Sequence, residues 1–287
     1  MIVVTGSTGT IGSELVRLLA AAGADARAIY HRAQSGAGAR PAQVRFFRAD
    51  LADPMQAEAA LAGASSLFLL TGNEPGFLQV QLTVVAEAER RAIRHLVKLS
   101  ALGASDHSKS GIGRDHWTVE QAIQRTDIPW TILRPHGFMQ NWLQDVAASV
   151  RSENTIYAPI GDGRVPFIDA RDIAAVAAEV LLRPDAHIGK KYVLTGGVAV
   201  GYADLAAELT KVTGRAITYR AISMEEARAR LTRLGQPAPL IDATLAIAAY
   251  QRDGGPTALV SPTVERLLGR PPRTIADFVR DYAARFS

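Results

Sequence analysis

Three glycines spaced at every third residue, Gly6, Gly9 and Gly12, punctuate the stretch VVTGSTGTIG near the start of the chain. Glycine lets a backbone adopt positive φ and lets another group approach closely. A helix that begins in such a loop presents unpaired N–H groups carrying partial positive charge, which suit a phosphate. In other surroundings the same pattern is only a tight turn, so the flanking sequence decides. Met1–Thr5 reads as a buried strand. After the loop, Ile11, Leu15, Leu18, Leu19 and Ala22 recur on one face of a helix closed by Gly23. This strand–loop–helix context makes Gly6, Ser7, Thr8, Gly9, Thr10, Ile11 and Gly12 a candidate cradle for a pyrophosphate.

A dinucleotide site selective for NAD carries Asp or Glu about 20 residues past the loop, where it binds the ribose diol. Here the chain reads AIYHRAQSG, with His31 and Arg32 at that place. Neither side chain accepts from a ribose hydroxyl as a carboxylate does, but Arg32 can pair with a 2′-phosphate. NADPH is therefore the expected cofactor, the alternative being a solvated surface arginine.

The elements that would position these residues alternate in type. Further strands are expected at 26–30, 44–47, 66–70, 95–99 and 130–134, with helices near 54–62, 77–92, 113–125 and 138–149. Asp53-Pro54 opens the first of these helices as a capping residue followed by proline at the first helical position. Such alternation predicts a doubly wound, Rossmann-like α/β fold with a parallel sheet. Residues 1–150 would form the dinucleotide-binding domain, with a strand and helix near 165–196 returning to it. Most of 151–287, punctuated by Pro237, Pro239 and Pro271-Pro272, would form a smaller, mainly helical substrate lobe.

The 287 residues include no cysteine, which excludes disulfides, thiolate metal sites and cysteine nucleophiles and fits a reducing cytoplasm. The net charge of +4 is spread along the chain without a block of basic residues, so no nucleic-acid groove is implied, although the basic balance keeps one as an alternative. The opening MIVVTG has no charged segment and no long apolar run, and no stretch approaches the length of a membrane span. The expected partner is a small-molecule substrate, bound by a monomer or homodimer; no metal is expected.

The loop TGSTGTIG resembles the T-G-x-x-G-x-x-G loop of the short-chain dehydrogenase/reductase superfamily. HLVKLSALGA, IPWTILRPHGFMQNW, VPFIDARDIAAVAAEVL and YADLAAELTKVTGRAITY narrow the resemblance to its atypical, NmrA-like members, over nearly the whole chain. That group holds both reductases and redox-sensing regulators. The resemblance implies that Asp50 and Leu51 flank the adenine. It also implies that Leu70, Thr71, Gly72, Ser100 and Pro135 border the ribose and nicotinamide.

Most of the superfamily donates a proton from the tyrosine of a Tyr-x-x-x-Lys pair. No tyrosine here has lysine four residues on, and the resemblance aligns Ile112 with the tyrosine and His116 with the lysine. His116 is thus a candidate ribose ligand or general acid, or an uninvolved helix residue. His95 and His187 read as plain surface residues, and His136 as passing the nicotinamide by its backbone. The substrate would meet Asn73, Phe138, Asn141 and Trp142, although aromatic residues at helical spacing are often core. With cofactor residues present and the tyrosine absent, the chain reads as an NADPH-dependent reductase of an electron-poor conjugated acceptor, such as a quinone or related aromatic. A non-catalytic NADP(H)-sensing regulator and a tailoring reductase or isomerase of secondary metabolism stand beside that reading.

Overall fold

Apolar, β-branched runs bounded by glycine, aspartate and proline form the strands, and apolar stripes at helical spacing form the helices between them. The computed structural model describes residues 1–31, 43–252 and 255–287, so Arg32 lies outside the described residues. Its elements begin β1 (Ile2–Val4), α1 (Thr10–Ala21), β2 (Ala26–Tyr30), β3 (Val44–Arg48), α2 (Pro54–Leu61), β4 (Ser66–Leu69) and α3 (Phe77–Arg90). Next come β5 (His95–Leu99), α4 (Gly111–Gln124), β6 (Trp130–Pro135), α5 (Trp142–Glu153), β7 (Thr155–Ala158), α6 (Ala170–Leu182) and β8 (Lys190–Leu194). The remainder is α7 (Tyr202–Thr213), β9 (Thr218–Ala221), α8 (Met224–Arg233), α9 (Ala238–Arg252), α10 (Thr263–Leu268) and α11 (Ile275–Asp281).

Two compact units result. One holds Met1–Ser108, Ile112–Pro135 and Arg171–Val193; the other holds Lys109–Gly111, His136–Ala170 and Leu194–Ser287. Most of α6 and β8 thus fall in the first unit, while α5 falls in the second.

The first unit is Rossmann-like. Its seven-stranded sheet has the order β3-β2-β1-β4-β5-β6-β8, with β1 paired in parallel to both β2 and β4. The strand order reverses between β1 and β4, and in open α/β sheets ligands bind outside the carboxyl ends of strands at such a reversal. Thr5 ties the two strands there. Its Oγ1 donates to the Leu70 carbonyl at 2.7 Å and accepts from the Leu70 N–H at 2.8 Å. One face of the sheet buries Val3, Ile29, Leu67, Leu69 and Leu96 with Leu61 of α2, Val84 and Ala88 of α3, and Val119 and Ile123 of α4. Asp53 caps α2 as expected, accepting from the Met55 N–H at 2.9 Å.

Three expectations need correction. The buried stripe of α1 runs through Ile11, Gly12, Leu15, Val16 and Leu19, leaving Leu18 half-buried and Ala22 exposed. His95 and His187 are buried, at 1 % and 5 % exposure, and belong to a polar chain rather than the surface. His95 Nε2 meets Thr131 Oγ1 at 2.9 Å, Thr131 donates to the His187 carbonyl, and His187 Nδ1 meets the Tyr192 hydroxyl at 2.9 Å. Desolvation, aided by the charge of His187, pushes His95 down to about 4, so it is neutral at physiological pH.

In the second unit β7 and β9 pair in parallel. The helix expected at 138–149 begins at Trp142, because Met139–Asn141 forms a 3-10 turn. Among the described residues the strand-like segment before α6 makes only isolated bridges, Val165 with Val200 and Ile168 with Phe138.

Gly12 is the glycine the fold needs most. A Cβ there would sit 2.1 Å from the Gly6 carbonyl oxygen, far inside any real contact. Gly12→Ala should therefore cost roughly 1–3 kcal/mol of stability, read as a lower urea midpoint at unchanged slope. An unchanged midpoint would show that α1 shifts freely away from the loop.

Candidate functional site

The glycine loop owes its shape to two of its three glycines. Gly6 has φ +60°, and a Cβ on it would lie 2.8 Å from the Leu70 carbonyl oxygen at the end of β4. Gly12 brings α1 against Gly6. Gly9 is different. As the N-cap of α1 it has φ −78°, and a Cβ would meet only the Gly6 carbonyl oxygen, at the ordinary distance of 3.4 Å. Among the described residues nothing demands glycine at position 9, whereas a ligand approaching the backbone there would. No side chain caps α1, so the N–H groups of its first turn are left for that ligand. Ser7 serves the loop from inside, its hydroxyl donating to the Ile29 carbonyl at 2.7 Å, while Gly9 and Thr10 are exposed. Ile11 places its side chain in the core.

The other residues expected at the cofactor lie at the carboxyl ends of the strands. His31 follows β2 and Asp50 follows β3, with His31 Nε2 3.8 Å from the Asp50 carboxylate and both side chains about half exposed. Leu51 is buried in the core beside them. Leu70, Thr71 and Gly72 follow β4, and Thr71 Oγ1 accepts from Gln81 Nε2 of α3 at 2.6 Å. The Thr71 hydroxyl proton is thus free to point elsewhere. Asn73 follows, exposed. Pro135 ends β6 and its carbonyl accepts from the Leu102 N–H.

Ser100, immediately after β5, has its hydroxyl proton committed: it donates to Glu120 Oε1 at 2.5 Å. Glu120 is fully buried, held by a two-pronged contact from Arg134 at 2.9 and 2.6 Å, with Lys191 Nζ at 3.7 Å. Arg134 and Lys191 both lie over the Trp117 ring. Toward a ligand, Ser100 can therefore only accept a hydrogen bond.

His116 is buried on α4, one turn beyond the half-buried Ile112. Its Nδ1 lies 3.2 Å from Nζ of Lys98, and its ring stands 5.2 Å from that of Phe77. Burial, reinforced by the Lys98 charge, pushes the imidazole down to about 2, so His116 is neutral throughout the working range. Sequence reasoning missed Lys98, Glu120, Gln81 and Lys191. A signal existed for the first. Parallel strands buried on both faces read as continuous apolar runs, and the lysine in HLVKL breaks one.

In the second unit, Phe138 is half-buried and Asn141 exposed on the turn before α5. Trp142 is corrected from substrate contact to core. It is 2 % exposed, with Phe167, Phe278 and Tyr202 rings at 4.8, 5.5 and 6.3 Å, because edge-to-face aromatic packing fills this unit's interior. His136 is buried, with Nε2 3.1 Å from the Thr257 carbonyl oxygen, and desolvation lowers it to about 4. Among the described residues no cluster could hold a metal ion, and no helix is long and apolar enough to cross a membrane.

A model of the NmrA-like family matches residues 1–255. The chain belongs to the NmrA-like family. It is 37 % identical over 286 residues to the NAD(P)H azoreductase of Xenophilus azovorans, covering 100 % of this chain and 99 % of that one. It is 34 % identical to a (4-alkanoyl-5-oxo-2,5-dihydrofuran-3-yl)methyl phosphate reductase of Streptomyces griseus, covering 100 % and 99 %. The NADPH-dependent quinone oxidoreductase of Escherichia coli, in its complex with NADPH, shares the fold at a TM-score of 0.85 and 27 % identity, over 99 % of this chain and 100 % of that one. The loop fits the dinucleotide of these NmrA-like relatives: an uncapped helix, an exposed glycine with no internal need, and strand-end donors and acceptors along one edge of the sheet.

Gly9→Val should leave the fold nearly as stable as before, since a Cβ there meets the described residues only at an ordinary contact distance. It should weaken NADPH binding by about tenfold or more, each 1.4 kcal/mol of lost contact being a factor of ten. Titration of NADPH alongside thermal unfolding checks both halves. Retained affinity would reduce the loop to a turn.

Proposed function

We propose that the chain is an NADPH-dependent reductase that delivers hydride to an electron-poor conjugated acceptor, a quinone or an azo- or enone-like aromatic. The observation that carries this reading is the pairing of a dinucleotide cradle with Ile112 and a neutral His116 where a tyrosine acid and its lysine would stand. The three relatives support it: their names specify an azo compound, an oxo-dihydrofuran and a quinone, all conjugated acceptors.

The first turn of α1 and Gly9 bind the pyrophosphate. Thr71 donates and Ser100 accepts at the ribose or carboxamide, and His116 borders the nicotinamide. By its place in the sequence, Arg32 would pair with the 2′-phosphate. Bound in this way, the reduced nicotinamide supplies hydride. A simple ketone gives an alkoxide that needs a proton at once, whereas a conjugated acceptor spreads the charge over its π-system. A site with a neutral imidazole in place of an acidic tyrosine suits the second kind.

With NADPH as donor, benzoquinone or an azo dye should be reduced about tenfold or more faster than a simple aliphatic ketone, by loss of reduced-cofactor absorbance. Preference for the ketone would expose an acid elsewhere. No turnover of any acceptor at intact NADPH affinity would make the chain a sensor.

NADPH should also bind about ten- to a hundredfold more tightly than NADH, because a charge-assisted arginine–phosphate contact is worth roughly 1.5–3 kcal/mol. Arg32→Ala should erase the difference. Equal affinities in the unaltered protein would remove Arg32 from the site.

A further inference from the structure

Lys98 is fully buried in β5, and none of the roles above uses it. Its Nζ donates to the Leu99 carbonyl and lies 3.2 Å from His116 Nδ1. The ammonium form of Lys98 has donors and no acceptor, so beside it Nδ1 is the acceptor, and the single proton of the neutral imidazole is assigned to Nε2. Nε2 makes no hydrogen bond among the described residues, and His116 keeps 5 % of its surface exposed.

The charged groups around the pair come from three elements. Glu120 lies on α4 itself, Arg134 on β6 and Lys191 on β8, with Phe77 of α3 as the apolar neighbour. Arg134 and Lys191 already answer the Glu120 carboxylate, and the Ser100 hydroxyl occupies one of its oxygens. Lys98 therefore has a distant share of a counter-ion and a direct contact with an imidazole.

The geometry points to Lys98 as the positioning residue that holds His116 in the Nε2–H form and reloads it with a proton during reduction. This rests on the reading in which His116 borders the nicotinamide. The acceptor gains two electrons and one hydrogen as hydride from the reduced nicotinamide. Its oxygen or nitrogen takes the second hydrogen as the Nε2–H bond breaks, while Nδ1 takes a proton from Nζ and Lys98 becomes a neutral amine. A proton from water at Nε2 then returns the Nδ1 proton to Lys98. The arrangement suits neutral pH: desolvation, partly opposed by Glu120, pushes the amine down to about 7.

The test begins without cofactor. Nitrogen NMR of the histidine-labelled protein should show His116 as Nε2–H below pH 7, where Lys98 is mostly protonated; an Nδ1–H imidazole there overturns the proposal. Lys98→Met should lose that preference, and Lys98→Gln, which still donates to Nδ1, should keep it. With NADPH and benzoquinone, kcat of the unaltered protein should fall as pH rises past about 7, because the protonated amine is the proton source. Both variants should lack that limb and run about tenfold or more slower, with NADPH affinity unchanged. If the variants do not fold, the tautomer and pH limb of the unaltered protein still decide. His116→Ala separates the two levels of argument. An unchanged kcat there removes His116 from the reacting atoms and the Lys98 role with it. A slowed His116→Ala beside a Lys98→Met of normal rate and pH profile overturns the Lys98 role alone.

Discussion

With position 12 so close to the Gly6 carbonyl that a Cβ would stand 2.1 Å away, α1 can start only where the backbone has just turned through φ +60° at Gly6. That turn is itself wedged against the end of β4, where a Cβ on Gly6 would meet the Leu70 carbonyl at 2.8 Å. Thr5 locks the same carbonyl from the β1 side. Three backbone segments thus converge at the reversal of strand order, and the first turn of α1 is fixed there with its N–H groups uncapped. The helix end and the neighbouring strand ends form one edge because these approaches permit no side chain between them. Gly9 alone stands outside this constraint, which makes it the glycine that speaks for a ligand rather than for the fold.

Farther along the edge, charge replaces close approach as the organising factor. Burying Glu120 is tolerable because Arg134 grips it in two-pronged fashion and Lys191 adds a second cation. In return the carboxylate fixes the Ser100 hydroxyl by accepting its proton. A buried ion cluster of this kind is weak evidence for stability but strong evidence that the orientation of its neighbours is specified. Ser100 and His116 each have one hydrogen-bonding direction already taken, by Glu120 and Lys98 respectively. Their remaining atoms are what the site has to offer.

Much of this was legible beforehand, for definable reasons. The strand Ile2–Val4 follows from a β-branched run, and the start of α2 follows from Asp53-Pro54. Periodicity was less exact where several apolar residues compete. In α1 both Val16 and Leu18 are apolar, and only the packing on the sheet selects Val16. The burial of His95 and His187 was hidden because their partners, Thr131 and Tyr192, come from elsewhere in the chain. Trp142 looked equally fit for a pocket or a core until Phe167 and Phe278, distant in sequence, closed around it. Lys98 and Glu120 fail a reading by pattern for the same reason: each is an anomaly on an apolar face, and only the third dimension supplies its partner.

The tyrosine–lysine pair of the wider superfamily places both groups on one helix, four residues apart. In this chain the helix keeps that spacing between Ile112 and His116 but carries neither group. The ammonium comes instead from β5, beneath α4, where it touches the histidine from the side of the sheet. A cation in that position cannot hold a ribose as an exposed lysine does, because it is fully buried and two of its three donors face Leu99 and His116. It acts through the imidazole or on the fold alone. Taken alone, a neutral imidazole is a weak acid: it supports a developing anion whose charge is already dispersed and does little for a localised alkoxide unless a second group resupplies its proton. On the proposed reading, the burial of His116, which keeps it neutral, would thus set how much of the negative charge the acceptor must disperse itself.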